Sequence, residues 1–330
     1  MTSPTTTCAS TPNTAAEGEA RELPVAAAAL RNGRGEVLLA ERAPGKPYAG
    51  MWELPGGKLE AGETALDALR RELDEELGIT VTDAAPLIRL RHAYPEFTVA
   101  LDVFEVATWQ GTPRPREGQR LAWVAPQAMH GWPLLPADAP IVTALRLPAC
   151  YAITPPELTP PAVLAGLEAL PVGCLLRLRL PTLSDGEYAA LAGVVCASIG
   201  GGRLVVDRDP ALADRLGCRL HLNGAALQDR GGVARPTDPP LLVSIHDAAE
   251  LRAAEACGAE AVVLGPVART ASHPDARPLD WAGFAAIAAS AAVPVYAIGG
   301  MTPAMAATAR HHGGQGVAGI GAFWPAAPAG

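Results

Sequence analysis

Eight short apolar runs recur through the second half of the chain: Tyr151–Thr154, Cys174–Leu180, Arg203–Asp207, Arg219–Leu222, Leu241–His246, Ala261–Val267, Pro294–Gly299 and Gly316–Phe323. Alanine-rich helical stretches separate most of them. Short, nearly continuous apolar runs are the pattern of strands buried on both faces, and their alternation with helices is the pattern of a parallel sheet. Eight such units predict a closed (β/α)8 barrel. About 180 residues is short for that fold, and the chain runs out at Pro325–Gly330 without a full eighth helix.

The whole chain has 330 residues, which at roughly 150 per domain makes two. Prolines crowd around the middle, at Pro133, Pro136, Pro140, Pro148, Pro155, Pro156, Pro160 and Pro161, and the boundary is placed near Pro148. Residues 1–21 are expected to be a disordered tail, 22–148 a first domain and 149–330 the barrel. With 49 % apolar residues and 18 % charged, the chain can bury two cores. Net charge is −8, from 34 acids against 26 bases, which excludes a sequence-independent nucleic-acid binder needing a basic surface. Six scattered cysteines form no C-x-x-C pair and read as reduced thiols. Residues 1–20 have neither the basic start nor the apolar core of a signal peptide. Trp281–Ala309 has no charged residue until Arg310, but proline and glycine interrupt it, so it reads as a helix followed by a buried strand. A soluble, cytoplasmic protein without membrane partners is expected.

The first half opens with an apolar segment, Leu23–Leu30, an Asn32-Gly33 turn and a second apolar segment, Glu36–Ala40, which reads as a hairpin. A helix is expected near Thr64–Leu77, strands near Leu87–His92, Phe97–Thr108 and Arg120–Val124, and a last helix over Ala139–Leu147. On the first helix Leu66, Leu69, Leu73 and Leu77 make one stripe, the core face. Glu72, Glu75 and Glu76 make an adjacent stripe, because spacings of three and four bring side chains together. Three carboxylates on one turn repel by a few tenths of a kcal/mol per pair, so helix stability gives no reason for them. A divalent cation does: Mg2+ takes hard oxygen ligands and shares them with phosphate oxygens.

The glycine turn, Glu63, Arg71, the glutamates and Gly78 stand in one register, Gly57-x5-Glu63-x7-Arg71-Glu72-Leu73-x-Glu75-Glu76-x-Gly78-Ile79. That register resembles the Nudix box at every defined position, and the resemblance extends over Leu23–Leu147, nearest to the MutT branch. Leu54-Pro55-Gly56-Gly57-Lys58, Arg114-Pro115-Arg116-Glu117-Gly118-Gln119 with Trp123, and Leu135–Pro140 also resemble segments of that branch. The resemblance implies a Nudix α/β/α sandwich with a mixed sheet. It further implies Mg2+-dependent hydrolysis (Mn2+ as the alternative ion) of a nucleoside triphosphate to a monophosphate and pyrophosphate, with 8-oxo-dGTP as the expected substrate. Another nucleoside diphosphate derivative is the alternative. The implied metal ligands are the Gly57 carbonyl, Glu72, Glu75, Glu76 and, with substrate, Glu117. Catalysis falls to Glu72, Glu76 and Glu117, with Glu72 or Glu117 as general base. Arg71 would orient the glutamates. Arg42, Gly56, Lys58 and Asp138 are substrate-binding candidates, Arg42 and Lys58 being equally compatible with surface ion pairs. Asp138 stands where MutT-type enzymes place an asparagine; it could accept hydrogen bonds from a guanine edge, N-cap the helix at Ala139, or do both. The Tyr94–Phe97 turn is shorter and less basic than its MutT counterpart.

From Tyr151 onward the chain resembles thiamine phosphate synthase and its TenI-like relatives. The carriers are Leu176–Arg179, His221-Leu222, Val243–His246, Leu264–Val267, Ala297–Gly300 and Gly316–Ala318. The active residues of that family fare worse: Arg179 replaces a lysine, Val206-Asp207 an Asn-Asp pair and Ala226 an acidic metal ligand. His273 stands near the expected pyrophosphate lysine, and Pro266 where TenI-type proteins carry histidine. What survives is a phosphate cup at Gly299, Gly300 and Gly319–Ala322, including Gly321. The expectation is a catalytically degenerate barrel that binds a phosphorylated thiazole or thiamine phosphate, or that serves as a sensor or scaffold. A bifunctional synthase is the alternative.

Overall fold

The computed structural model describes residues 21–229, 239–270 and 276–324. The first half builds two sheets. Strands β1 (Arg21–Leu30), β2 (Val37–Glu41), β3 (Trp52–Glu53), β4 (Gly56–Lys58), β5 (Thr80–Ala93), β6 (Phe97–Gln110) and β7 (Leu121–Val124) accompany helices α1 (Ala65–Leu77) and α2 (Ala139–Arg146). The larger sheet has the order β4-β1-β6-β5, with β1 parallel to β6 and the other pairs antiparallel. The smaller has the order β3-β2-β7.

Strand β1 is buried on both faces. Ala26, Ala28 and Leu30 pack with Leu69, Leu73 and Leu77 of α1, while Ala27 and Ala29 share a cluster with Ile141, Val142 and Ala144 of α2. Alternate side chains of one strand thus feed two cores, and the sheet lies between two helices. The expected hairpin is not formed. The chain does turn at Asn32–Glu36, with the Asn32 N–H donating to the Glu36 carbonyl at 3.0 Å. Both edges of β1 are, however, occupied by β4 and β6, so β2 meets it only through an isolated Arg31–Val37 bridge and joins the other sheet.

Helix α1 begins where Thr64 accepts a hydrogen bond from the Asp67 N–H and ends at Gly78, whose φ of 69° is the left-handed cap. A Cβ at Gly78 would lie 2.6 Å from the Arg116 guanidinium, which would have to shift to admit it.

In the second half β8 (Cys150–Ile153), β9 (Leu175–Arg177), β10 (Leu204–Val206), β11 (Arg219–Leu222), β12 (Leu241–Ile245), β13 (Ala261–Leu264), β14 (Val295–Ala297) and β15 (Gly316–Gly319) form a closed parallel barrel in sequence order. Helices α3 (Pro160–Gly166), α4 (Asp185–Ile199), α5 (Pro210–Leu216), α6 (Gly224–Asp229), α7 (Ala248–Ala256), α8 (Asp280–Ala288) and α9 (Ala306–His311) connect the strands. Each predicted apolar run overlaps one strand. After β15 the described residues hold a single 3-10 turn, Gly321–Phe323. Tyr151, Leu175, Val205, Leu242, Val263 and Tyr296 fill the barrel interior, while the alternate residues pack outward under the helices. The uncharged stretch becomes α8 and β14, and among the described residues no helix is long and apolar enough to cross a membrane.

The two halves touch along β5, the edge strand of the larger sheet. The Arg91 N–H donates to the Ala291 carbonyl at 2.8 Å, and the Arg89 N–H to that of Gly313 at 3.4 Å. From the barrel, the Gln315 side-chain amide donates to the carbonyls of Ala144 and Leu147 at 3.0 and 2.8 Å, satisfying the end of α2. Arg310 pairs with Glu105 at 3.6 Å.

Candidate active site

The glycine loop and α1 meet edge to edge. Pairing of β4 with β1 leaves no room at Gly56, where a Cβ would stand 2.2 Å from the Ala26 carbonyl oxygen. At Gly57 a Cβ would stand 2.1 Å from the carboxyl carbon of Glu72. The two glycines therefore let a strand and a helical carboxylate approach the same backbone.

Arg71 sits between loop and helix. It donates from Nε and Nη2 to the two Glu63 oxygens at 2.8 and 2.9 Å, from Nη1 to Glu72 at 2.9 Å and Glu75 at 3.4 Å, and from Nη2 to the Lys58 carbonyl at 3.1 Å. This two-pronged pairing lowers the Glu63 carboxyl to about 2. Arg71 is thus spent on protein carboxylates. The Lys58 side chain is exposed.

Across the cleft, the Lys46 ammonium donates to Glu117 at 2.6 Å. Glu76 lies among these groups but makes no ion pair with any of the described residues. Burial and the carboxylates of Glu117, Glu72 and Glu53 push it up to about 7, against the opposing pull of Lys46. Arg42, Lys46, Glu53, Glu76, Glu117 and Gln119 line one cavity. The 115–119 loop is held to α1 by the Arg116 N–H and the Gln119 side-chain amide, both donating to the Glu76 carbonyl, at 3.0 and 3.2 Å.

As placed, no three carboxyl, imidazole or thiol groups converge on one point among the described residues, because Arg71 and Lys46 draw Glu72, Glu75 and Glu117 aside. The donor set nevertheless fits a hard divalent cation: carboxylates share one cleft, and burial together with the neighbouring carboxylates makes Glu76 hold its proton well above the usual carboxyl range.

Of its two readings Arg42 shows the ion pair: its Nη1 pairs with Glu53 at 2.5 Å and its Nε donates to the Pro47 carbonyl at 2.7 Å, so it organises its own loop. Asp138 precedes α2 but makes no capping bond. It is buried, 6 % exposed, near Glu53 and the Leu54 N–H, and burial holds its carboxyl well above the usual range. A carboxyl shifted this way takes up a proton more readily than the acceptor-only carboxylate expected, and its acid form carries a donor as well as an acceptor. Sequence reasoning passed over Glu53 and Lys46. Glu53 stands immediately before the Leu54-Pro55-Gly56-Gly57 segment, and Lys46 is one of only two lysines in the chain.

The barrel interior holds a second polar group. His221 lies between the Tyr151 hydroxyl at 2.9 Å and the Ser244 hydroxyl at 2.7 Å. Burial and the neighbouring Arg177 and Arg179 hold its imidazole well below the usual value, so it is neutral. Asp207 pairs with Arg177 at 3.4 Å, Val206 is fully buried and Ala226 offers no ligand atom. Gly299 and Gly300, at φ 99° and 68°, pass close under Pro266 and Ala268, whereas Gly321 faces open space. His273 lies outside the described residues.

The family model described as NUDIX domain matches residues 26–144, and the one described as Thiamine monophosphate synthase matches residues 150–323. An 8-oxo-dGTP diphosphatase of Haemophilus influenzae is 39 % identical over 121 residues, 37 % of this chain and 89 % of that protein. A putative thiamine-phosphate synthase 2 of Aquifex aeolicus is 30 % identical over 190 residues, 54 % of this chain and 99 % of that protein. The chain belongs to both families, one in each half. A CTP pyrophosphohydrolase of Escherichia coli is also similar to the Nudix half, 37 % identical over 117 residues, 36 % of this chain and 87 % of that protein. Nudix hydrolases depend on divalent metal, in keeping with the carboxylate cleft.

Proposed function

We propose that the Nudix half hydrolyses purine nucleoside triphosphates, 8-oxo-dGTP foremost, to the monophosphate and pyrophosphate, and so removes oxidised nucleotides that would cause mutation. The observation that carries this reading is the cleft where Glu72 abuts Gly57 and faces Glu76 and Glu117. The Gly57 carbonyl, Glu72, Glu75 and Glu76, joined by Glu117, would hold Mg2+, or Mn2+ in its place, which when bound neutralises the polyphosphate and acidifies water. Arg71 keeps Glu63 and Glu72 in position. Glu72 or Glu117 accepts the proton as water attacks phosphorus and the phosphorus–oxygen bond to pyrophosphate breaks. Glu53 and Lys46 flank the phosphate end, with Lys58 exposed nearby. Asp138, buried beside Glu53 with its carboxyl held well above the usual range, stands at the base edge. The similarity to a CTP pyrophosphohydrolase makes a pyrimidine triphosphate the competing substrate.

A hydrolysis screen across nucleotides with and without Mg2+, recording pyrophosphate against phosphate release, tests the reading. Metal-dependent pyrophosphate release from 8-oxo-dGTP is expected, lowered about 100-fold by Glu75→Gln or Glu76→Gln. Turnover unchanged in both variants would overturn it.

For the barrel we infer a phosphate-ester binding module without synthase chemistry, because Val206 and Ala226 supply no side-chain ligand and Asp207 is committed to Arg177. Thiamine phosphate or a phosphorylated thiazole is the expected ligand, at Gly299, Gly300 and Gly321. Calorimetry on the full chain checks this: thiamine phosphate binding no tighter than a control sugar phosphate removes the ligand. A cytoplasmic location suits this nucleotide chemistry.

A further inference from the structure

The loop between β2 and β3 contains a strained aromatic residue. Tyr48 has φ 61°, in the left-handed region; among the described residues the only other non-glycine there is Asp280. That conformation is disfavoured for any residue with a Cβ and persists only where its surroundings impose it. Here the Arg42 N–H donates to the Met51 carbonyl at 2.9 Å, the Gly50 N–H to that of Arg42 at 3.0 Å and the Met51 N–H to that of Tyr48 at 3.1 Å. The Arg42 side chain pins the Pro47 carbonyl from within.

This strain does not serve burial. Tyr48 remains 44 % exposed, and its ring lies 5.7 Å from that of Tyr94, which continues to Phe97 at 5.1 Å. The result is an aromatic wall with one open end. Its inner member, Tyr94, stands beside Ala137 and Asp138. Two residues before Tyr48, Lys46 reaches Glu117 in the carboxylate cleft. The chain between Lys46 and Tyr48 spans at most about 7 Å, on the scale of the sugar that separates a base from its phosphates.

We propose that Tyr48 is the platform on which the base of the nucleoside triphosphate stacks, its exposed face receiving the ring while the polyphosphate lies toward Lys46 and Glu117. The inference rests on the nucleotide reading above and adds to it the residue that sets preference for large, purine-sized bases. A ring held by a closed loop loses little conformational freedom on binding, and stacking is stronger for a larger π-face.

The test is steady-state kinetics of the full chain with Mg2+, using dGTP and dCTP, on the natural protein and on Tyr48→Phe, Tyr48→Leu and Tyr48→Ala, with a thermal midpoint for each. Leucine preserves packing against Tyr94 without a π-face. Leu and Ala should raise KM for dGTP about tenfold with kcat held within about twofold, raise it less for dCTP, and Phe should behave as the natural protein. KM for dGTP unchanged in Leu and Ala, or raised equally for both nucleotides, overturns the platform while leaving the hydrolase standing. If the natural protein neither turns over nucleoside triphosphates nor binds dGMP, the hydrolase reading falls and the platform with it.

Discussion

Glu76 shows how one side chain reports the charge around it. Raised to about 7 from an ordinary carboxyl value near 4.5, it binds a proton more tightly in the folded than in the unfolded chain. Metal-free protein therefore loses stability as pH rises from about 4.5 to 7, and the full cost is present above 7. Glu76→Gln should melt several degrees higher than the natural protein at pH 8 in chelator, and the two should converge below about pH 4.5. Adding Mg2+ at pH 8 should stabilise the natural protein and leave Glu76→Gln nearly unmoved. A melting difference independent of pH would count against the crowded-carboxylate account. Arg71 and Arg42 belong to the same scale: both reach the segment around the Gly56-Gly57 turn, and both are committed to protein acceptors.

At the scale of elements, α1 is the piece that most depends on local sequence. Its leucine stripe, Thr64 cap and Gly78 stop lie within sixteen residues of one another, and the helix forms where periodicity places it. Gly78→Ala should destabilise the protein by about 1–2 kcal/mol, because φ of 69° must be kept by a residue with a Cβ and Arg116 must move aside. Thermal unfolding measures this, and a midpoint within one degree of the natural protein would mean the cap relaxes freely. The β1–β2 hairpin shows the opposite case. Its turn residues are right for a turn, but whether the flanking strands pair depends on which neighbours claim the edges of β1, and those are Lys58 and Phe97 with their neighbours, far along the chain.

At the scale of the molecule, the barrel supplies what an edge strand lacks. The N–H groups of Arg89 and Arg91 on β5 point at barrel carbonyls, and Gln315 completes the end of α2. Cutting the chain after Pro148 should leave these groups unpartnered on an exposed edge. The truncated Nudix half should then melt at lower temperature and self-associate in light scattering, while the full chain stays unassociated under the same conditions. A truncated form as stable and as dispersed as the full chain would show that the contact contributes nothing.

What sequence alone determined lies in short spacings and in the order of strands. The Nudix register, the glutamate stripe and the eight apolar runs are relations among near neighbours, and steric and hydrogen-bonding rules act at that range. They were enough for the two folds and for the stripe of Glu72, Glu75 and Glu76 along α1. Tertiary structure decided the rest: that Asp138 is buried beside Glu53 and uncapped, that Arg42 closes its own loop, that Lys46 reaches Glu117, and that Tyr48 is held open against Tyr94. Burial and charge pairing depend on side chains far apart in the chain, 85 positions for Asp138 and Glu53, and only the folded chain brings such groups into one dielectric environment.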